Sequence, residues 1–263
     1  MVSRAPKDVS AVRAQATHDL GDFAEFLRTL NTEGFEFVVI GGCAVVAYAS
    51  LLGDELFSVD LDIYVTQATL VEILEWAPGQ GLRIVKRPQP RSIPVAFLES
   101  ADGKEINILT SATALPRPEI VTRTARQFFL SAHGDLDVPV ADPFDLLANK
   151  LGVARDKDLP HIEILRRFVE EEAVTAFSEE ESPRARLEPA RRLLEVLKDQ
   201  TLPAALADRL IELARTAPDF RFLIHRVPTE RQAKRLLAAA DKHQEALRPS
   251  LESILVKRRF WSG

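Results

Sequence analysis

Residues 37–65 read FVVIGGCAVVAYASLLGDELFSVDLDIYV, and this stretch constrains the fold more than any other in the chain. Positions 37–40 form a short apolar, β-branched run of the kind that makes a buried strand. Gly41-Gly42 breaks that run at a sharp turn, where missing side chains let backbone amides approach a phosphate. Positions 43–52 are small and apolar and predict a helix packed behind the turn. Positions 59–65 alternate, so that Asp60, Asp62 and Tyr64 share one face of a strand while Val59, Leu61, Ile63 and Val65 supply core on the other.

Two carboxylates at i and i+2 of a strand repel each other unless a cation lies between them. Mg²⁺ suits the position, since it takes carboxylates together with phosphate oxygens. A bare D-x-D also fits an edge strand with two solvated aspartates; the glycine turn ahead of it favours nucleotide chemistry.

Gly41, Gly42, Ser58, Asp60 and Asp62 follow the order of two glycines, a helix, a Ser or Thr and a D-x-D strand. In these residues the chain resembles the nucleotidyltransferase superfamily related to DNA polymerase β. The interval from glycines to aspartates is a few residues longer than in that pattern, and Leu56-Phe57 stands where an arginine often precedes the Ser/Thr. The resemblance implies an α/β (α+β) architecture, a small mixed-sheet domain followed by a helical one. It also implies transfer of a nucleoside monophosphate from an NTP to an acceptor hydroxyl with release of pyrophosphate. Asp60 and Asp62 would then hold Mg²⁺ or Mn²⁺, and Gly41, Gly42 and Ser58 would cradle the triphosphate.

Positions 95–98 and 105–109 flank Ala101-Asp102-Gly103, a hairpin signal. Enzymes of the superfamily often carry a third carboxylate on such a strand, bracketed by apolar residues, and here that place holds Asn107, between Ile106 and Ile108. An asparagine ligates a metal through its oxygen but takes no proton. Glu105, two residues earlier on the same face, offers a longer arm. The site has shifted toward Glu105, works with two carboxylates, or has lost catalysis. In the last case the chain is a non-catalytic nucleotide- or partner-binding protein on the same scaffold.

Asp142-Pro143 opens a further helix, since proline is tolerated in a first turn. Leu146, Leu147, Lys150 and Leu151 follow on neighbouring turns. With Arg155, Lys157 and Asp158 this segment resembles one in the AbiEii-like abortive-infection toxin branch and its uncharacterised relatives, although His161 replaces an acidic residue. That likeness makes Lys150, Arg155, Lys157 and Asp158 candidates for phosphate handling. On position alone, Lys150 among leucines requires an anion, supplied by a triphosphate or by an internal carboxylate. Asp158 is placed to orient Lys157 or to cap the helix that begins near Pro160. His161 reads as a polar residue at that helix start.

The chain has 263 residues, enough for a main domain and a second helical one. Residues 9–32 predict an amphipathic helix, and Lys86, Arg87 and Arg91 lie in a proline-rich loop. The acidic, proline-bearing run 178–189 predicts a linker, which divides the chain into a nucleotidyltransferase-like part, 1–177, and a helical part, 190–263. Helices are expected over 190–198, 202–214 and 229–257. Residues 184–263 carry 17 Lys/Arg against 10 Asp/Glu, whereas the whole chain has a net charge of −5. Such a basic lobe suits an RNA acceptor, a tRNA end by the toxin likeness. It also suits docking on the acidic lobe, or a cognate acidic antitoxin. One cysteine, Cys43, excludes an intramolecular disulfide. With no apolar run of membrane-spanning length and no signal-peptide core, a cytoplasmic protein is expected.

Overall fold

The computed structural model describes residues 17–88, 95–179 and 182–197, together with a few positions beyond (207–208, 229, 231–232, 234–236 and 238). The chain forms two compact units, Met1–Ser111 with Arg117–Ala141, and Ala112–Pro116 with Asp142–Gly263. Its class is the expected mixed α/β.

The first unit is built on one mixed seven-stranded sheet. Its strands are β1 (Val38–Ile40), β2 (Asp60–Tyr64), β3 (Arg83–Lys86), β4 (Val95–Glu99), β5 (Glu105–Leu109), β6 (Arg126–Leu130) and β7 (Leu136–Val140), in the spatial order β3-β4-β5-β2-β1-β7-β6. β1 pairs antiparallel with β2 and parallel with β7, and β2 pairs parallel with β5. The Ala101-Asp102-Gly103 signal is a β4–β5 hairpin, closed by Gly103 N–H on the Ser100 carbonyl at 2.9 Å with Gly103 at φ +83°. The helices of this unit are α1 (Ala24–Glu33), α2 (Gly41–Leu51), α3 (Gln67–Trp76) and α4 (Pro118–Thr124).

β1 is fully buried, and α2 is buried without interruption from Gly41 to Ala49, so this strand–helix pair runs through the core. That is why its sequence lacks the polar face a surface helix would show. α1 does carry such a face and turns Ala24, Leu27 and Leu30 inward. It ends on Gly34 in the left-handed region at φ +76°. The helix predicted over 9–32 starts later than expected. His18 is extended and pairs with Ser58, and a short 3-10 turn, Gly21–Phe23, leads into α1. Residues 9–16 lie outside the described residues, as do Arg91 of the proline-rich loop and nearly all of 198–263.

In the second unit α5 (Pro143–Val153), α6 (Leu159–Glu179) and α7 (Pro183–Leu197) pack on one another. Leu165, Val169 and Ala173 of α6 recur at helical spacing and are buried, as are Ala190, Leu193, Leu194 and Leu197 of α7. The second unit takes up the main run of the chain from Asp142, and within it α6 reaches Glu179 and α7 starts at Pro183. α5 and α6 both pack on α7. Asp142 caps α5, its Oδ1 accepting from Phe144 N–H at 3.0 Å. Among the described residues no helix is long and apolar enough to cross a membrane.

Candidate functional site

Parallel pairing of β2 with β5 sets Asp60 level with Glu105 and Asp62 level with Asn107. The faces alternate as expected: Leu61 and Ile63 are fully buried, while Asp60 and Asp62 are half-buried. The Asn107 side chain reaches across to both aspartates. Its Nδ2 donates to Asp60 Oδ2 at 2.8 Å and to Asp62 Oδ1 at 2.9 Å. Both amide hydrogens are thereby used on carboxylates. The other end, Oδ1, is buried and has no hydrogen-bond partner.

Gly41 closes the site from the side of α2. It stands at φ +69°, and a Cβ built there would lie 1.9 Å from Asp62 Oδ2. Glycine is therefore required twice, once by the backbone conformation and once because the main chain abuts the carboxylate. Gly41 and Gly42 form the first turn of α2, which no side chain caps. The positive end of the helix dipole thus lies beside Asp62.

Ser58 is buried, and its Oγ donates to the Asp60 carbonyl at 3.0 Å, with Asp60 Oδ1 at 3.4 Å. Its main chain is also taken: His18 N–H donates to the Ser58 carbonyl at 2.6 Å, and Ser58 N–H to the His18 carbonyl at 2.8 Å. Cys43 Sγ donates to the same Asp60 carbonyl at 3.2 Å. The Cys43 thiol is buried, and burial pushes its pKa well up, so it is a packed donor rather than a nucleophile. Ser58, Cys43 and His18 together fix where β2 begins. Ser58 has the stated signal in the sequence. His18, forty residues away, has none, because an isolated bridge needs no pattern.

Glu105 is solvent-exposed at the head of β5, level with Asp60. Among the described residues no three His, Cys, Asp or Glu side chains gather into a metal-holding group. The residues present nevertheless fit a divalent cation held in part by its substrate. Two carboxylates and an amide are hard oxygen donors of the kind Mg²⁺ and Mn²⁺ take, and Mg²⁺ commonly relies on one or two carboxylates plus phosphates. The orphaned Asn107 Oδ1 is a further oxygen without occupation.

Lys150, Arg155, Lys157, Asp158 and His161 belong to the second unit. Lys150, on α5, is buried, and its Nζ donates to Asp158 Oδ1 at 3.0 Å. Of the two anions considered for it, the internal carboxylate is present. Arg155 Nε donates to Asp158 Oδ2 at 2.6 Å, and His161 Nδ1 stands 3.7 Å from Oδ1. Asp158 thus pairs with Lys150 and Arg155. Lys157 lies in the short 3-10 turn Asp156–Asp158 and is exposed. Burial pushes the Asp158 carboxyl up, but the Arg155 and Lys150 hydrogen bonds outweigh it and hold it at about 2. His161 is held down at about 4, chiefly by burial and then by the Lys150 charge.

No family model matches the chain, and no curated protein matches it. Among solved structures, it is similar to an antigenic nucleotidyltransferase-like protein from Paracoccidioides brasiliensis, at 16% identity, with 89% of this chain and 90% of that one covered and a TM-score of 0.34. It is also similar to a CCA-adding enzyme in its apo form I, at 16% identity, with 90% of this chain and 68% of that one covered and a TM-score of 0.28.

Proposed function

We propose that the protein is a metal-dependent nucleotidyltransferase that moves a nucleoside monophosphate from an NTP to an acceptor hydroxyl. The observation that carries this reading is that the glycine-led start of α2 abuts Asp62, which Asn107 ties to Asp60. A site made only of anions would repel a triphosphate. A site made only of helix amides would not discriminate it from other anions. Together they suit a cation–triphosphate complex, the carboxylates facing the cation and the amides of Gly42 and its neighbours facing phosphate oxygens.

In this reading Asp60 and Asp62 hold Mg²⁺ or Mn²⁺, which supplies charge neutralisation on the phosphates. Ser58 and Cys43 keep Asp60 in place through its carbonyl, and Gly41 keeps the main chain close enough for phosphate contact. The acceptor oxygen forms its bond to the α-phosphorus as the bond to pyrophosphate breaks. Its proton passes to an aspartate oxygen or to water, because Asn107 has no atom to receive it. Lys150 is a positioning residue that holds α5 to Asp158. Arg155 and Lys157 remain the candidates for phosphate contact in the second unit. A tRNA end is the first choice of acceptor, from the toxin likeness and the basic 184–263 segment, with a protein side chain or a small molecule as the alternatives; the same likeness motivates a cognate antitoxin.

A second reading has a specific observation in its favour. The Asn107 amide already satisfies the carboxylate pair, as a protein that binds nucleotide without turnover could afford. The two are separated by incubating wild type and Asp60→Ala with each α-labelled NTP, Mg²⁺ or Mn²⁺ and total tRNA, and following label in RNA and in protein. Asp60-dependent label in RNA is the expected result. Cation-dependent NTP binding with no label anywhere would favour the non-catalytic reading. No binding and no label would overturn both.

A further inference from the structure

The amide of Asn107 occupies the place between two carboxylates that a bridging cation would take. Its orientation follows from electrostatics. With Nδ2 toward Asp60 and Asp62 it makes two charge-assisted hydrogen bonds, whereas the reverse would turn a third oxygen onto two anions. The arrangement leaves Oδ1 buried and unpartnered, whereas most buried acceptors in proteins have a partner. Half a turn about the terminal torsion exchanges oxygen for nitrogen at nearly constant volume. Asparagine can thus serve either as donor or as ligand in one space, which neither aspartate nor leucine can do.

We propose that Asn107 is a latch exchangeable with the cation. Its Nδ2 bridge and a divalent cation compete for Asp60 and Asp62, and cation entry turns the amide over so that Oδ1 faces the carboxylate pair. This rests on reading the pair as a cation site. The latch keeps like charges together in the cation-free protein and opposes a lone cation. A cation accompanied by phosphate oxygens overcomes it more readily, since the amide must then yield to a more strongly held ion. Loading is accordingly coupled to the nucleotide.

The test uses the full chain without nucleotide. Mn²⁺ binding is read from the electron paramagnetic resonance of the free ion for wild type and Asn107→Asp. The variant removes the competing donor and adds a charge. It is expected to bind Mn²⁺ at least about tenfold more tightly, because a third carboxylate replaces a neutral group. Its thermal midpoint without divalent ions should fall below that of wild type and recover when Mg²⁺ is added.

A second measurement needs no variant. The chain has three asparagines, Asn31, Asn107 and Asn149, so asparagine-selective ¹⁵N labelling yields three side-chain amide pairs. Asn31 and Asn149 donate to the Asp137 and Thr113 carbonyls and serve as references. On titration with Mg²⁺ the Asn107 pair should shift and exchange faster with water while the other two hold still. Equal Mn²⁺ affinity in the two proteins, or an Asn107 amide that does not respond to Mg²⁺ even with a non-hydrolysable NTP present, would overturn the latch. Transfer activity with equal Mn²⁺ affinity would remove the latch and keep the transferase. Tighter Mn²⁺ binding in Asn107→Asp with no transfer by wild type would do the reverse.

Discussion

Two clusters of charge in this protein solve opposite problems. In the first unit, Asp60 and Asp62 are like charges, half-buried, and the group between them is a neutral amide. In the second, Asp158 is almost fully buried, and two cations of its own unit, Lys150 and Arg155, meet it. The Asp158 cluster is closed about its carboxylate, which meets two cations within 3.0 Å. The aspartate pair instead gathers two like charges about one neutral amide, and in the proposed reading a cation would join them there. The lesson is that burial and ionisable residues alone do not mark a functional site. What distinguishes the proposed site is like charge that the fold gathers about a neutral amide.

The most forceful way to break this contrast is to open the closed cluster. Asp158→Ala strands a buried lysine and should destabilise the protein by about 3–5 kcal/mol, measured by denaturant unfolding. Replacing Lys150 with Met and Asp158 with Leu together should lose much less, since no buried charge is left unpaired and the Arg155 side chain is half-exposed. If single and double variants lose the same amount, the pair is not a closed unit.

Asp60→Ala should act the other way. Transfer activity is expected to fall by about 10²–10³, or about 3–4 kcal/mol in the barrier, with the unfolding midpoint unchanged or raised, because a repulsion is relieved. A large drop in stability instead would place Asp60 in the same class as Asp158.

Gly41→Ala sharpens the first half of the comparison. The left-handed backbone alone should destabilise by about 1–2 kcal/mol, and displacement of Asp62 adds a loss of cation-dependent NTP binding. Binding titration beside thermal unfolding checks both. Thr66→Ala provides the quiet control. Thr66 Oγ1 accepts from Thr69 N–H at 3.1 Å to cap α3, so its loss should reduce stability by about 1 kcal/mol without changing transfer.

The smallest effect concerns pH and belongs to the closed cluster. His161 is held down at about 4, so between that value and the ordinary value of about 6.5 the unfolded chain binds the extra proton. Its contribution is complete above about pH 6.5 and is lost as pH falls through 4. Asp158, held at about 2, adds a further loss from about pH 4 downward. Thermal midpoints of wild type and His161→Gln should therefore converge on acidification from pH 7 to 4. Parallel curves would mean that His161 is not buried as a neutral base.

Much of the route to the site was legible because it is local. The β-branched run, the glycine turn, the apolar helix and the alternating β2 lie within thirty residues, each with its own periodicity or steric requirement. The β4–β5 turn and the Asp142-Pro143 helix start were legible for the same reason. α4 and β6 were not anticipated: β6 is an edge strand whose alternate residues, Gln127 and Phe129, face outward, so it shows no buried run.

By itself, the sequence determined the strand, glycine turn, helix and second strand of residues 37–65 and the placing of Asp60 and Asp62 on one face. Each follows from backbone sterics and a period of two or 3.6 residues, which need no distant partner. Tertiary structure alone decided that β5 lies parallel to β2 with Asn107 level with Asp62, that His18 pins Ser58, and that Lys150 takes Asp158 as its anion. These depend on strand register, helix packing and the direction of an amide, and such choices are made by burial and charge between segments that the sequence sets far apart.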